Sequence, residues 1–375
     1  MKILIAGDYC PRARTASLIE ENRFEEILGE VKPIIESADY SLVNFECTVV
    51  DNLHAKPILK CGPNLQCTSR AVDALRYVGF KGVTLANNHV LDFDVEGLSD
   101  TIAACKANNL DMVGVGVNLK DAATVLYKII ENKTVAFINC CEHEFSIATD
   151  VKPGTNPLNA IQQFYSIKEA RKLADFVIII VHGGHEFFQL PSPRMKELYR
   201  FFVDCGADVV VNHHQHCFSG YEVYNGKPIF YGLGNFCFDN ESFHSGVWTE
   251  GYMLELSINS AIRFNLIPYI QCADKAQVGL MCDIAKQRFL NTINSLCETI
   301  ADDEVLKKKH SDWMIKTSGS YKLVFTPYSN RYLRAAASRS LIPLFLSKKR
   351  ILNLINYVQC ESHRDRILSF LNNKI

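Results

Sequence analysis

Short apolar runs alternate with amphipathic segments along the first two-thirds of the chain. Apolar runs typical of β-strands lie at residues 2–6, 40–44, 82–85, 176–181 and 208–212. Helical spacing of apolar residues lies between them, over 16–37 with a break near Pro33, and over 68–78, 95–108 and 193–205. The pair Asn225-Gly226, which a type I′ turn prefers, predicts a β-hairpin. Alternating strands and helices followed by hairpins predict an α/β fold with partly parallel sheets.

The pattern changes near residue 271, beyond which the spacing is mostly helical. Residues 306–375 contain 14 Lys or Arg against three acidic residues. We therefore divide the chain into an α/β domain over 1–270 and a basic, mostly helical region over 271–375. In that region the apolar stretch 341–346 lies between Arg339 and the run Lys348-Lys349-Arg350, a pattern typical of segments that attach to anionic membranes. Docking onto the acidic remainder of the chain is the alternative.

Composition narrows the classes of protein that fit. The 375 residues carry 40 Lys or Arg against 41 Asp or Glu, and this balance argues against a nucleic-acid partner. The apolar runs are too short for a transmembrane helix, and the first residues read as a strand rather than a signal peptide. Fourteen scattered cysteines without a C-x-x-C fit free thiols in a reducing compartment. These features predict a cytoplasmic protein.

Polar residues that can bind metal ions follow five of the predicted strands. They form the clusters Gly7-Asp8, Asn44-Phe45-Glu46, Asn87-Asn88-His89, His182-Gly183-Gly184-His185-Glu186 and Asn212-His213-His214-Gln215-His216. Open α/β sheets place ligand sites at the carboxyl ends of their strands, so these clusters can converge on one site. Carboxylates, an amide oxygen and several imidazoles suit Mn, Fe or Zn better than Ca or Mg. The sequence therefore predicts a site for one or two divalent ions.

These motifs, together with Gly232-Leu233-Gly234-Asn235-Phe236, resemble the CapA family over residues 1–240. CapA proteins are associated with bacterial capsule and poly-γ-glutamate synthesis and are similar in fold to calcineurin-like metallophosphoesterases. The resemblance implies a four-layer α/β/β/α sandwich with a helical C-terminal region. It also implies two ion sites that share Glu46: the first has Asp8, Glu46 and His216, and the second has Glu46, Asn88, His182 and His214. His89 would be the acid that protonates a leaving group.

The chain departs from the metallophosphoesterase pattern at its first motif. Asp8-Tyr9-Cys10 stands where those enzymes usually have Asp-x-His, and Glu46 stands at the bridging position in place of Asp. A weak or empty first ion site and a thiolate ligand at Cys10 are therefore alternatives.

A second group of residues is assigned to substrate binding or to the surroundings of the ligands. It consists of His213, His185, Glu186, Arg12, Arg14 and Asn235. Arg12 and Arg14 fit phosphate or carboxylate recognition, because a guanidinium group forks around such anions. Lys56 and Lys60 are interpreted as solvated loop charges. A structural role is the alternative at each ligand position: a turn at Asp8, a solvated strand end at Glu46, and a core histidine at His182.

The resemblance implies a metal-dependent hydrolase or transferase that acts on an anionic polymer or its activated precursor. A non-catalytic, metal-containing module that binds capsule polymer or scaffolds its synthase is one alternative, and whether the protein is an enzyme stays open between the two. A nucleotide phosphodiesterase is another alternative, which the missing Asp-x-His disfavours. The partners that follow are the polymer or precursor, capsule synthase components, and the inner face of the membrane.

Overall fold

Strands and helices alternate through most of the chain, of which the computed structural model describes residues 1–51, 55–259, 261–328 and 330–372. The described strands are β1 (Lys2–Tyr9), β2 (Tyr40–Phe45), β3 (Thr48–Val49), β4 (Gln66–Cys67), β5 (Gly82–Thr84), β6 (Asp111–Val113), β7 (Val115–Gly116), β8 (Leu126–Ile130), β9 (Lys133–Cys141), β10 (Gly154–Thr155), β11 (Phe176–His182), β12 (Val209–His213), β13 (Tyr221–Tyr224), β14 (Lys227–Phe230), β15 (Asn235–Cys237), β16 (Glu250–Ile258), β17 (Ile262–Gln271) and β18 (Val278–Leu280). The described α-helices are α1 (Arg14–Glu20), α2 (Phe24–Leu28), α3 (Lys32–Glu36), α4 (Arg70–Val78), α5 (Asp94–Ala107), α6 (Leu119–Ala122), α7 (Ala160–Leu173), α8 (Pro193–Cys205), α9 (Asp283–Ala301), α10 (Asp303–Thr317), α11 (Arg331–Ser338), α12 (Lys348–Gln359) and α13 (Glu361–Asn372).

Two mixed sheets form the centre of the fold. The first has the strand order β18-β17-β16-β1-β2-β5-β6, with β15 also paired to β1, and the second has the order β13-β14-β12-β11-β9-β8. Strands β1, β2, β5 and β6 are parallel, as are β9, β11, β12 and β14. The hairpin β13–β14 turns at Asn225 (φ 49°) and Gly226 (φ 75°), both left-handed as a type I′ turn requires. The predicted hairpin and the partly parallel sheets are thus confirmed.

The inner faces of the two sheets pack against each other. Ile3 and Ile5 of β1 lie in one buried cluster with Phe137 of β9 and Ile180 of β11. Because side chains alternate along a strand, the residue between them, Leu4, faces the other way, into a second cluster with helices α1–α5. Helices α7 and α8 cover the outer face of the second sheet. The result is the α/β fold with α/β/β/α layers that we expected from the sequence.

The first helical segment differs from the prediction. In place of one helix over 16–37 the chain forms α1, α2 and α3, because the backbone becomes left-handed at Asn22 (φ 57°) and ends α1. Helix α7 begins at Ala160, six residues before the helical segment 166–174 that the apolar spacing predicts. Its start is fixed by Asn159, whose side-chain oxygen accepts hydrogen bonds from the backbone of Ile161 and Gln162.

The chain divides into two compact units, Met1–Lys307 and Lys308–Ile375, rather than after residue 270. Helix α9 belongs to the first unit, because its Phe289 and Ile293 are buried in the cluster between the sheets. The Phe289 ring lies 4.4 Å from that of Phe218. Among the described residues, no helix has both the length and the apolar character needed to cross a bilayer.

Removing a side chain from between the sheets should cost far more stability than removing one from their surface. Ile180 is fully buried on β11, whereas Ile129 on β8 of the same sheet is 79% exposed. Ile180→Ala should lower the free energy of unfolding by about 2–5 kcal/mol, and Ile129→Ala by less than about 1 kcal/mol. Urea unfolding followed by circular dichroism measures both values. Equal losses in the two variants would contradict the packing described here.

Candidate metal centre

A carboxylate without a hydrogen-bond partner lies at the centre of the site. Glu46 follows β2 and is fully buried, and neither of its oxygens is hydrogen-bonded within the described chain. Burial raises the pKa of Glu46 well above its ordinary value, and the nearby Asp8 carboxylate raises it further. An ionised carboxylate taken out of water without a partner costs several kcal/mol. The surroundings of Glu46 therefore favour a bound cation.

Asp8 and His216 converge with Glu46 on one side. One potential ligand atom from each of the three residues lies within 4.8 Å of the other two. His216 Nδ1 is 3.6 Å from Asp8 Oδ2, and His216 Nε2 is 3.8 Å from Glu46 Oε1. Burial raises the pKa of Asp8 to about 7. Hydrogen bonds donated by Asn44 Nδ2 and by the His214 backbone favour the ionised form of Asp8 and partly oppose this increase.

His182 and His214 converge with Glu46 on the other side, again within 4.8 Å of one another. His182 Nε2 lies 3.3 Å from Glu46 Oε1, 3.0 Å from Asn88 Oδ1 and 3.1 Å from His214 Nδ1. Glu46 is thus common to both groups. The structure brings together all six residues that the sequence assigned to metal binding.

Burial keeps the imidazoles of the site neutral. It lowers the pKa of His182 well below its ordinary value, that of His214 to about 3, and that of His216 to about 4. Neutral imidazole is the form that ligates metal ions. Neutral nitrogen donors around two carboxylates therefore fit a divalent cation of the Mn, Fe or Zn kind.

The loop after β12 adopts an unusual backbone that places its histidines. His214 and His216 have φ values of 90° and 54°, in the left-handed region that residues with a side chain rarely adopt. Such strain persists only where the surroundings impose it, and it concentrates at functional sites. Here Asn212 holds the loop: its Nδ2 donates to the carbonyls of Gly183 and Tyr231.

The turn after β14 lies directly against β1. A Cβ atom on Gly7 would come within 1.9 Å of the Gly234 carbonyl oxygen, so only glycine fits at position 7. The close approach sets Asn235 beside Asp8 in the β1–β15 register. Asn235 Oδ1 lies 2.9 Å from His216 Nδ1, while its Nδ2 donates to the Trp248 carbonyl. Asn235 therefore holds the ring of His216 in place.

His89 is held by a buried ion pair. Its Nδ1 lies 2.7 Å from Asp92 Oδ2 and 3.1 Å from Lys60 Nζ, and Lys60 pairs with the other oxygen of Asp92. The Lys60 and Asp92 side chains are 2% and 0% exposed. The interpretation of Lys60 as a solvated loop charge was therefore wrong. The sequence reasoning also missed Asp92, for which the three-residue spacing from His89 was the available signal.

The remaining predicted residues divide between the site and other places. His213 is buried, with Nδ1 3.4 Å from Asp8 Oδ1, and burial lowers its pKa to about 3. Glu186 is exposed, yet its charge contributes to the raised pKa of Glu46. His185 is half-buried, with its ring 6.4 Å from that of Phe188.

Arg12 and Arg14 follow Asp8 closely in the sequence, but their described hydrogen bonds are made to other residues. The Arg14 guanidinium is bound by the Asp239 carboxylate and by the carbonyls of Cys272 and Ala273. This arrangement contradicts the role in anion recognition expected for Arg14, because its guanidinium N–H groups already donate to partners within the protein. Arg12 is partly exposed, and its backbone N–H donates to Thr15 Oγ1.

Two residues that the sequence reasoning did not select, Glu144 and Asn44, also face the site. Glu144 accepts a hydrogen bond from Asn88 Nδ2, and its Oε1 lies 3.9 Å from His214 Nε2. It belongs to a Glu-His-Glu run just after β9, a strand-end signal like the others. Asn44 Nδ2 donates to Asp8 Oδ1 and lies 3.2 Å from His182 Nδ1, so it links the two sheets.

An aromatic wall covers the His216 side of the site. The Trp248 ring lies 5.1 Å from the His216 ring and stacks with Phe187 and Phe243. Phe187 and Phe243 are 42% and 41% exposed, and Phe187 has a left-handed backbone with φ 63°. Cys10, the alternative ligand, is fully buried, and within the described chain neither ligand group includes it.

Two relatives of this chain are named as capsule or PGA biosynthesis proteins. A capsule biosynthesis protein CapA of Bacillus anthracis is 33% identical over 247 residues, covering 64% of this chain and 60% of the relative. A PGA biosynthesis protein CapA of Bacillus subtilis (strain 168) is 35% identical over 237 residues, covering 62% of each protein. The chain thus spans about 60% of the length of these relatives.

More distant likenesses add nothing about activity. A phosphatase from Mycoplasma pneumoniae aligns with a TM-score of 0.45 at 17% identity, covering 78% of this chain and 98% of that one. The sequence model described as "Bacterial capsule synthesis protein PGA_cap" matches residues 2–240, which include all six proposed metal ligands and His89. The chain belongs to the PGA_cap family of bacterial capsule synthesis proteins.

Proposed function

We propose that this protein is a metal-dependent hydrolase or transferase in the synthesis of capsule or poly-γ-glutamate, acting on an anionic polymer or its activated precursor. The family membership and the capsule proteins to which the chain is similar support the pathway. The observation that carries the proposal is the Glu46 carboxylate, which has no hydrogen-bond partner among the described residues and is common to two groups of ligand atoms.

The residues divide between two ion positions. Asp8, Glu46 and His216 would hold one ion, and Glu46, Asn88, His182 and His214 would hold the other. The nitrogen and oxygen donors favour Mn, Fe or Zn. Such ions supply Lewis-acid polarisation of a phosphoryl or carbonyl oxygen and make water more acidic.

His89 is the proposed proton donor to the leaving group. The Asp92 carboxylate accepts a hydrogen bond from His89 Nδ1, which leaves Nε2 for a substrate. The ion pair fixes the ring orientation, and the hydrogen bond from Thr48 Oγ1 to the His89 carbonyl fixes its backbone. A positioned acid of this kind contributes about 10²–10⁴ in rate.

A metal-containing polymer-binding or scaffold protein is the second candidate function. It is favoured by Cys10, which stands where metallophosphoesterases usually have a histidine and lies outside both ligand groups of the described chain. Fewer ligands then surround the first ion position. A single ion per chain and no turnover would support this candidate.

Metal content tests the assignment of the ligands. Purified protein should contain two Mn, Fe or Zn ions per chain by elemental analysis, and His214→Ala and Asp8→Asn should each lower the content while the core stays folded. The fold should persist because a core of this size does not depend on a metal ion. His143→Ala, at an exposed histidine outside both groups, is the control and should keep its metal. Full metal content in both ligand variants would refute the assignment.

The pH dependence of stability tests the buried charge of Asp8. Its pKa is about 7 in the folded chain against an ordinary 3.8, so in chelator-treated protein its contribution to stability falls as the pH rises from about 4 to 7. Asp8→Asn removes this loss. The variant should therefore gain melting temperature over the wild type as pH rises through that window, and the gain should level off above it. A gain that does not depend on pH would contradict the buried, unpaired state of Asp8.

Turnover tests the role of His89. His89→Asn should lower hydrolysis of model phosphomonoesters, phosphodiesters or γ-glutamyl amides by about 10²–10⁴ while leaving metal content unchanged. His143→Asn serves as the matched control and should keep full turnover. Unchanged turnover in His89→Asn would remove His89 as the acid. Absence of wild-type turnover on all three substrates, with metal bound, would favour the polymer-binding candidate.

A further inference from the structure

The second unit, Lys308–Ile375, leaves most of its apolar side chains exposed. Half of the exposed large apolar and aromatic side chains of the described residues lie in it. No residue of α12 is buried, and Leu352 and Val358 are 57% and 59% exposed. Extended exposed apolar surface usually marks an interaction site.

Helix α12 is amphipathic. Ile351, Leu354, Ile355 and Val358 recur at helical spacing on one face, and Lys349, Asn353 and Asn356 lie on the opposite face. Together with Phe325 and Leu346, the apolar residues line an open groove of about 300 Å³. We call this apolar face and the lysines at its start, Lys348 and Lys349, the α12 surface.

The amphipathic helix of the second unit does not coincide with the apolar stretch that the sequence pattern indicated for membrane attachment. The apolar stretch 341–346 is not helical, and α12 begins only after it, at Lys348. Ser347 caps the helix by accepting a hydrogen bond from the Arg350 backbone. Pro343 therefore lies outside the amphipathic helix and does not interrupt it.

The charge of the second unit is strongly one-sided. It contains 13 Lys or Arg against three acidic residues, a formal charge of +10. From Asp312 to Glu361 the chain has eight Lys or Arg and no acidic residue between those two acids. A second copy of the chain would bring the same positive charge to the contact, which disfavours self-association through this surface.

We propose that the α12 surface docks on an anionic lipid bilayer, with α12 lying in the plane of the interface. An anionic bilayer binds both parts of the α12 surface, because the apolar face packs against the hydrocarbon and the lysines contact the anionic headgroups. Twelve residues are too few to cross the hydrocarbon core, so α12 lies on the surface. The surface lies outside the family-matched residues 2–240.

Vesicle co-sedimentation of the full chain tests the proposal. The protein should pellet with vesicles of 70% phosphatidylcholine and 30% phosphatidylglycerol and stay in solution with phosphatidylcholine alone, and high salt should release it. Lys348→Glu with Lys349→Glu should weaken binding at least about tenfold, because each nearby cation contributes about 1 kcal/mol. Ile351→Ser with Ile355→Ser should weaken binding as well, without any change of charge.

The control carries the same charge change in the first unit. Lys120→Glu with Lys168→Glu, at two exposed positions, should leave vesicle binding within about twofold of wild type. Equal loss in this control would show attraction by net charge alone and would overturn the proposal. So would equal pelleting with both vesicle types, or no pelleting with either. Concentration-dependent self-association that the Ile351→Ser/Ile355→Ser variant abolishes would assign the surface to a second copy instead.

Discussion

The site depends on one electrostatic constraint, a buried carboxylate that the protein itself does not satisfy. In the part of the chain that the structure describes, Glu46 has no hydrogen-bond partner, and Asp8 beside it is equally buried. Without a cation, burial pushes the carboxylates and the imidazoles toward neutral forms, as the raised pKa values of the acids and the lowered values of the histidines indicate. A bound divalent ion would stabilise the ionised form of the carboxylates, and it would bind the imidazoles in their neutral form. The arrangement is therefore complete only with a cation.

The architecture supplies the rigidity that such a site needs. Asp8 and Glu46 come from neighbouring parallel strands of one sheet, whereas His182 and His214 come from neighbouring strands of the other. Asn44 contacts both Asp8 and His182, so the ligand groups are joined across the interface between the sheets. The apolar cluster between the sheets fixes their spacing. The core thus offsets the cost of the buried charges and the left-handed backbone in the histidine loop.

The sequence predicted those features that depend on local pattern. The polar clusters at strand ends contain all six proposed ligands. Helix α8 begins and ends at the residues that the apolar spacing predicted. The Lys60–Asp92 pair was missed because it joins residues far apart in the chain, and the loop sequence around Lys60 is the same whether or not it is buried. The role expected of Arg14 failed for the same reason, since Asp239 lies 225 positions away. The domain boundary was misplaced because an amphipathic pattern such as that of α9 does not reveal which surface covers it.

Charge connects the metal centre to the proposed substrate. The first unit carries 27 Lys or Arg against 38 acidic residues, a formal charge of −11 that repels an anionic polymer. Glu144 and Glu186 add to this repulsion at the site itself, because the cation nearby, Lys60, is already paired with Asp92. Two divalent ions would balance these two carboxylates together with Asp8 and Glu46, which ionise when they bind a cation. Metal binding would then do more than activate the reacting groups: it would remove the local barrier that keeps an anionic substrate away from them.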